Sequence, residues 1–257
     1  MTDITILGLG EAGRHYAQGL RDVGARVRGF DPFQDVRDLG IDQRDRLAEA
    51  VEGADVVLSL VGPGPAIEVA ESALPHLRDD AIYADLNTTA PQIKQQIAHL
   101  AESHGRRMAD VAVLAPVPRD GHRTALLASG VGADGFVAAM APFGMPITVV
   151  PGAAGEAARL KLLRSVFMKG LAALVIESLG AARVTGSDEW LRDRIAQELG
   201  EGGAALVDRL VSGSYEHAPR REQEVRASLA ELEASGQPAD MTRATLAWFQ
   251  RILAARD

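Results

Sequence analysis

Three glycines near the start of the chain, Gly8, Gly10 and Gly13, have the spacing of a turn that holds a pyrophosphate. A segment that predicts a strand precedes them, and a helix-forming segment follows directly. In such a turn the first glycine makes the tight bend, the second lets the backbone approach a phosphate, and the third lets the helix pack on the strand. Amide groups at the helix start then bind the diphosphate. We predict that the whole loop lines this site: Gly8, Leu9, Gly10, Glu11, Ala12 and Gly13.

A carboxylate follows the second predicted strand. Residues 25–30 end at Asp31, close to the spacing of the acid that binds an adenosine ribose. This carboxylate would accept hydrogen bonds from the ribose and repel a 2′-phosphate, so we expect NAD and keep NADP as the alternative. Arg37 lies too far along the chain for us to expect it to hold such a phosphate. A turn without a ligand is the weaker interpretation, because the elements follow in the right order.

Four polar residues fall within one arc of a long apolar helix: Lys161, Arg164, Ser165 and Lys169. Burying unpaired cations is costly, so the arrangement suits a cleft for an anionic substrate. Neighbouring cations would also lower the proton affinity of a lysine enough for acid–base work. An exposed face with snorkelling side chains explains the spacing equally well. From the spacing alone both interpretations stay open.

The sequence predicts two regions that position these residues, one of alternating strands and helices and one of helices alone. Up to about Pro151 strand and helix signals alternate, which predicts a parallel sheet covered on both faces. Strands are predicted at 3–7, 25–30, near 41, and at 54–61, 81–86, 107–113, 124–128 and 147–150. Helices are predicted after Gly13, at 66–77, from Pro91 and at 134–141.

From Gly155 onward the strand signals stop. Residues 155–183 predict one long helix that is apolar on most sides and should be buried. Shorter helices are expected at about 188–199, 204–211, 222–234 and 241–255. We therefore predict an α/β fold: a Rossmann-like doubly wound domain, 1–152, and an all-α domain, 153–257, joined by a long interdomain helix.

Composition narrows the functional class. The 257 residues are 47% hydrophobic and 24% charged, and the net charge of −8 argues against a nucleic-acid partner. No cysteine is present, and the histidines lack metal-ligand spacing, so we predict no metal. The first residues already predict a strand instead of a signal peptide, and the longest uninterrupted apolar run, 171–176, is too short to cross a bilayer. We expect a soluble cytoplasmic protein without a membrane partner.

The chain resembles the β-hydroxyacid dehydrogenases, a group that includes 3-hydroxyisobutyrate and 6-phosphogluconate dehydrogenases. The resemblance covers nearly the whole chain in order. Four segments carry it: GLGEAG at 8–13, ADVVLSLV at 54–61, Asp85-Leu86-Asn87-Thr88, and Gly155-x-Ala157-x-x-x-Lys161. The stretch KLLRSVFMKG, 161–170, is most similar to uncharacterised bacterial members with a phosphogluconate-dehydrogenase-like C-terminal domain.

The resemblance implies roles for individual residues. Lys161 is implied as the catalytic lysine that exchanges the substrate hydroxyl proton while hydride moves to or from a nicotinamide. Asn87 and Thr88 are implied beside the nicotinamide ribose and the substrate, and Leu60 and Val61 beside the cofactor. The alternative for Asn87 and Thr88 is ordinary turn chemistry. Their position after a central strand favours a functional role.

Two positions depart from the family pattern. Ser165 stands where the family has an asparagine that bonds the substrate, and it is our third catalytic candidate after Lys161 and Asn87. The family's D-x-P-V-S-G-G loop, which holds the substrate carboxylate, corresponds to 110–116, where the serine and both glycines are missing. Cations elsewhere could replace it, although solvated loop positions remain the favoured interpretation of the 119–123 segment. These candidates are Arg164, Lys169, Arg119, His122 and Arg123.

The leading hypothesis is an NAD(P)-dependent dehydrogenase for a small, anionic β-hydroxy acid or related carbonyl compound. One alternative is imine reduction, which Lys161 disfavours because imine reductases of this architecture lack the lysine. Another is a dinucleotide sensor without catalysis, which the altered 110–116 loop permits and Lys161 disfavours. We expect a homodimer formed largely by the helical half, because short helices around one apolar helix leave apolar surface to cover, and relatives pair through this domain.

Overall fold

The computed structural model describes residues 2–255, and in these residues eight strands form one sheet. They are β1 (Asp3–Leu7), β2 (Arg26–Phe30), β3 (Asp42–Gln43), β4 (Val56–Ser59), β5 (Ile82–Asp85), β6 (Arg107–Val113), β7 (Leu126–Ser129) and β8 (Ile147–Val149). Their order is β3-β2-β1-β4-β5-β6-β7-β8, and every neighbouring pair is parallel except β6 with β7. The predicted Rossmann-like sheet is confirmed.

Six helices lie among the strands and five follow them in the same described residues. The first six are α1 (Glu11–Asp22), α2 (Leu47–Val51), α3 (Ala66–Ala73), α4 (Pro91–Ser103), α5 (Val117–Asp120) and α6 (Ala133–Met140). The others are α7 (Glu156–Arg183), α8 (Asp188–Glu198), α9 (Gly203–Glu216), α10 (Ala218–Ala234) and α11 (Asp240–Ala254). Helices α2 and α5 were not predicted, because segments of five and four residues are too short to show a helical period.

The sheet is covered on both faces because alternate residues of each strand point to opposite sides. On one face Ile4, Ile6 and Leu58 belong to a buried cluster with side chains of α1 and α6. On the other face Leu7 and Val57 belong to a second cluster with α3 and α4. The near-continuous apolar runs of the central strands therefore have a structural cause, which is burial on both sides.

The chain divides into two compact units, one ending at Lys161 and the other beginning at Leu162. This division lies inside α7, whereas the predicted boundary, between 152 and 153, precedes the helix. The physical reason is that the amides of the first turn of α7 bond to side chains of the sheet unit. Lys161, one turn further along, thus belongs to the sheet unit.

The second unit is helical, and α7 is its central element. One buried cluster joins α7 to α9 through residues that include Val175 and Leu210. A second joins α7 to α10 and α11 through Ile176, Val225 and Phe249. Helix α9 extends past its predicted end at 211, and there Ser214 is buried and its hydroxyl donates to the carbonyl of Leu210. The predicted all-α unit is confirmed.

Helix α7 is less buried than predicted. Leu163, Phe167 and Leu174 keep 44%, 67% and 57% of their surface exposed. By length and composition alone this helix of 28 residues could also cross a bilayer, a test that core helices of soluble proteins pass as well. The expectation based on short uninterrupted apolar runs is corrected to that extent, because five of the seven charged residues of α7 lie in its first half.

Candidate active site

The strand order places a candidate site at the carboxyl ends of β1, β4 and β5. The chain runs outward from β1 to β2 and β3 on one side and continues from β4 on the other, so the order reverses between β1 and β4. In open α/β sheets, ligands bind outside the carboxyl ends of the strands at such a reversal. The glycine loop and the segments after β4 and β5 all begin there.

The three glycines have three different environments. Gly8 has a φ of 91°, and a Cβ there would lie 2.6 Å from the carbonyl oxygen of Leu60 and 2.9 Å from the nitrogen of Val61. A Cβ on Gly13 would lie 1.9 Å from the carbonyl oxygen of Gly8, so the helix packs directly on the turn. At Gly10, by contrast, no atom of the described residues lies within 4 Å of a Cβ position. The open side of the loop is therefore at Gly10, where a phosphate would approach.

The start of α1 also fits an anion. Gly10 precedes the helix, and within the described part of the chain no side chain caps that end. The first-turn amides therefore keep their hydrogen-bonding capacity and the positive end of the helix dipole for a ligand. Both features fit the pyrophosphate of a dinucleotide.

Asp31 organises the loop around the predicted adenosine site. Its Oδ2 accepts from the amide of Leu9 at 2.7 Å, and its Oδ1 accepts from the amides of Phe33 at 2.8 Å and Gln34 at 3.1 Å. A carboxylate offers about four lone-pair positions, so capacity remains for a ligand hydroxyl. The carboxylate thus has a structural part that the sequence did not indicate.

Asn87 joins the segments after β4 and β5. Its Oδ1 accepts from the amide of Gly62 at 2.8 Å, and its Nδ2 donates to Ser59 Oγ at 3.0 Å and to the carboxylate of Asp85. The residue is 5% exposed, and both amide hydrogens have acceptors. The structure shows that Asn87 ties these two segments together. Its catalytic role stays a prediction.

Lys161 and Thr88 are brought together although 73 residues separate them in the chain. The Nζ of Lys161 donates to Thr88 Oγ1 at 2.8 Å. Thr88 follows β5 and is exposed, and Lys161 is half-buried on α7. An amine thus lies at the carboxyl end of a central strand, next to the reversal of strand order, where it can exchange a proton with a bound molecule.

The other residues of the predicted stripe on α7 have different surroundings. Lys169 Nζ lies 2.6 Å from Glu224 Oε2, so its charge is compensated. It also lies eight residues beyond Lys161, about 12 Å along a helix. The predicted crowding of Lys161 by Lys169 is therefore corrected, because the prediction considered angles around the helix and not the rise along it. Arg164 is exposed.

The hydroxyl of Ser165 is buried without a hydrogen bond from the described residues. The residue is 9% exposed, and its Oγ has no hydrogen-bond partner in the described residues. Buried polar groups are normally satisfied, so such an atom indicates a group that a ligand or water would complete. This observation is consistent with the predicted site at Ser165.

The cations of the segment after β6 have different surroundings. His122 is buried against α1, where a Cβ on Gly19 would lie 2.2 Å from its Nδ1. Burial, assisted by the charge of Arg123, lowers the pKa of His122, so the ring is neutral near pH 7. Gly19 lies about 12 Å along α1 from its phosphate-binding start. Arg119 and Arg123 are exposed, and the Nε of Arg119 lies 3.8 Å from Asp120, as the favoured interpretation of solvated loop positions predicts.

A buried ion cluster was missed by the sequence analysis. Lys94, on α4, lies between Asp85 and Asp110, and Ser129 donates to Asp110 at 3.1 Å. A signal was present, because Lys94 occurs on the otherwise apolar stripe of α4. The buried residues of this stripe are Pro91, Lys94, Ile97 and Ala101. The family-like loop at 110–116 thus contributes its aspartate to the interior of the fold.

Comparisons with known proteins agree with this geometry. The family model described as the NAD binding domain of 6-phosphogluconate dehydrogenase matches residues 3–134, and a domain of unknown function matches 182–252. A conserved hypothetical protein from Sinorhizobium meliloti 1021 has a solved structure with 32% identity and a TM-score of 0.80, covering 97% of this chain and 88% of that chain.

Two dehydrogenases are also similar. A 3-hydroxyisobutyrate dehydrogenase from Pseudomonas aeruginosa is 33% identical over 155 residues, which are 54% of this chain and 49% of the relative. The chain thus spans about half the length of that relative. The structure of Mycobacterium tuberculosis 3-hydroxyisobutyrate dehydrogenase with L-serine has 22% identity and a TM-score of 0.85, covering 99% of this chain and 94% of that chain. At that identity the likeness concerns the fold.

Proposed function

The chain belongs to the β-hydroxyacid dehydrogenase family, and we propose that it interconverts a small anionic β-hydroxy acid, or a related hydroxy compound, with its carbonyl form. The observation that carries the proposal is the 2.8 Å hydrogen bond from Lys161 Nζ to Thr88 Oγ1 at the carboxyl end of β5. This bond supports our assignment of Lys161 as the amine that exchanges the proton beside the predicted dinucleotide site.

The residues of the sheet unit fit a dinucleotide. The open space at Gly10 and the uncapped start of α1 suit a pyrophosphate, and Asp31 keeps capacity for a ribose hydroxyl. Leu60 and Val61 flank the glycine turn. We assign these residues to NAD(P) binding, together with Thr88 after β5.

NAD is the preferred form in this proposal. The carboxylate of Asp31 would repel a 2′-phosphate. Arg37, the next cation after this strand, is bound by Asp35 at 2.8 Å and by Asp45, so its guanidinium is already paired. A 2′-phosphate would therefore meet an anion without gaining a free cation from this segment.

The reaction divides the substrate's hydrogen atoms between two acceptors. When bound, the nicotinamide supplies the acceptor for the hydride that leaves the hydroxyl-bearing carbon. The hydroxyl proton passes to the neutral amine of Lys161, and the O–H bonding pair completes the carbonyl double bond. In reduction, the Lys161 ammonium returns the proton to the carbonyl oxygen. Thr88 Oγ1 orients the amine by accepting its hydrogen bond.

The test is a panel of small β-hydroxy acids with NAD or NADP, in which formation of the reduced nucleotide is followed by absorbance. We expect turnover of at least one acid, with NAD preferred, and loss of that turnover in Lys161→Met. If NADH binds in calorimetry but neither the acids nor a parallel panel of imines turns over, the sensor alternative replaces the enzyme.

A further inference from the structure

Lys94 has an unusual environment for a lysine. Its side chain is 1% exposed, and its Nζ lies 2.9 Å from Asp85 Oδ2 and 3.4 Å from Asp110 Oδ1. The same Nζ donates to the backbone carbonyl of Asp85 at 2.7 Å. Both aspartate side chains are fully buried. One ammonium therefore joins two buried carboxylates from neighbouring strands, β5 and β6.

The first carboxylate holds the segment that carries Thr88. Asp85 Oδ1 accepts from the backbone amide of Asn87 at 3.2 Å and also from its side-chain amide. Asn87 in turn bonds to Ser59 and to the amide of Gly62. Thr88, the next residue, is thus positioned by a backbone that Asp85 fixes.

The second carboxylate holds the start of α7. Asp110 Oδ2 accepts from the amides of Gly155 at 2.9 Å and Ala158 at 3.1 Å. Ser129 Oγ, which donates to Asp110, accepts from the amide of Ala157 at 3.0 Å. These are orphan amides of a helix start, and their capping group comes from the sheet. Lys161 follows three residues after Ala158.

We propose that Lys94 is a positioning residue that sets the separation between Thr88 and Lys161 by joining the two carboxylates that hold them. The inference rests on the proposed function for its catalytic meaning. A buried ion pair is weak evidence for stability, because well-packed apolar residues in its place are often as stabilising or more so. In this cluster the charges have a geometric use, since each carboxylate also accepts amides of a different segment of the site.

The first test is hydrogen exchange measured by mass spectrometry on the full chain without ligand. In Lys94→Met, peptides covering 86–90 and 154–160 should both exchange faster, by about tenfold or more, than in wild type, while a β1 peptide stays unchanged. Two single substitutions distinguish the two ends of the cluster. Ser59→Ala should speed exchange only in the 86–90 peptide, and Ser129→Ala only in the 154–160 peptide. Equal loosening of the whole sheet, or no loosening at either end, would overturn the proposal.

Removing the ammonium could prevent folding, because two buried carboxylates would then face each other. The double variant Lys94→Met with Asp85→Asn removes one buried charge of each sign. In it the 154–160 peptide should still loosen, because Asp110 has lost its link to β5. Wild-type exchange of that peptide would show that Lys94 does not position α7.

The second test is kinetic and uses the substrate found in the acid panel. A misplaced reacting group costs up to about a hundredfold in rate, so Lys94→Met should lower kcat by roughly tenfold to a hundredfold. The Kd for NADH should change much less than kcat, since the glycine loop and Asp31, which provide most of the proposed cofactor contacts, are not part of the cluster. Wild-type kcat in a folded Lys94→Met would contradict the positioning role. If the wild type oxidises no acid, the proposed function fails, and the exchange experiment alone decides the inference.

Discussion

Lysine is rare in this chain, and each lysine has a specific partner. Of the 27 lysines and arginines only three are lysines, Lys94, Lys161 and Lys169. Their ammonium groups contact two buried aspartates, Thr88 Oγ1 and Glu224 respectively. A lysine can release its proton in a suitable site and an arginine cannot, so we expect that arginine would not replace Lys161 in the proposed reaction.

The first prediction concerns Lys161. Lys161→Met should lower kcat by about two to four orders of magnitude, the usual contribution of general acid–base catalysis, because no amine remains to exchange the hydroxyl proton. NADH affinity measured by calorimetry should change little. Arg183→Met, which removes an exposed cation at the other end of α7, is the matched control and should keep wild-type kcat. Turnover of the Lys161 variant within a few-fold of wild type would make this lysine structural only.

The second prediction separates two glycines of the same loop. In Gly10→Ala the new methyl enters open space, so stability should stay within about 0.5 kcal/mol of wild type while NADH affinity falls at least about tenfold. In Gly13→Ala the methyl would meet the carbonyl oxygen of Gly8, so the free energy of unfolding should fall by about 1–3 kcal/mol. Thermal unfolding and calorimetry check both. Unchanged NADH binding by a stable Gly10→Ala would mean that no phosphate lies there.

Some functional residues could be predicted from the sequence, whereas contacts between distant residues could not. The glycines and Asp31 could be found because their order along the chain is itself the signal. The ion cluster could not, because Lys94, Asp85 and Asp110 come from three elements and only folding brings them together. The bonds of the Asn87 side chain to Ser59 and Gly62 could not be predicted either, because these residues lie at the end of a different strand and just after it.

Among the helices, sequence periodicity predicted the position of each element better than its packing contacts. The start of α4 and both ends of α7 were predicted within a few residues, whereas α2 and α5 were too short to give a period. For α7 the angular stripe was identified from the sequence. The pairing of Lys169 with Glu224 and the exposure of Phe167 depend on packing against other helices, which no local pattern contains.

The third prediction concerns the segment packed on α1. Because burial lowers the pKa of His122 below its ordinary value of about 6.5, the unfolded chain takes up a proton that the folded ring resists. This contribution to stability is complete above about pH 6.5 and is lost as the pH falls towards the folded pKa. The loss is at most about 1.4 kcal/mol per pH unit.

Denaturant unfolding between pH 7.5 and pH 5, values chosen to span the ordinary pKa of about 6.5, measures this contribution. His122→Asn cannot titrate and should show a shallower decline than wild type, since all other histidines are common to both proteins. Parallel declines in the two proteins would mean that His122 protonates as easily in the folded state as in the unfolded one.

In the molecule as a whole, α7 has an exposed apolar stripe on one side and carries Lys161 on the other. Leu163, Phe167 and Leu174 fall within an arc of about 40° when each residue advances by about 100°. This arc begins about 200° from Lys161, so the exposed apolar stripe and Lys161 lie on opposite sides of the helix. Large apolar side chains exposed in one line normally mark an interface.

The fourth prediction is that the chain forms a homodimer through this stripe. Burying one large apolar side chain contributes about 1.5–3 kcal/mol, so Phe167→Glu should weaken the dimer at least about tenfold, because it also buries a charge. Light scattering at micromolar concentration should report a dimer for wild type and a monomer for the variant. Val131→Glu, at an even more exposed apolar position of the sheet unit, is the control and should remain dimeric. A monomeric wild type that sediments with lipid vesicles would instead assign the stripe of α7 to a bilayer.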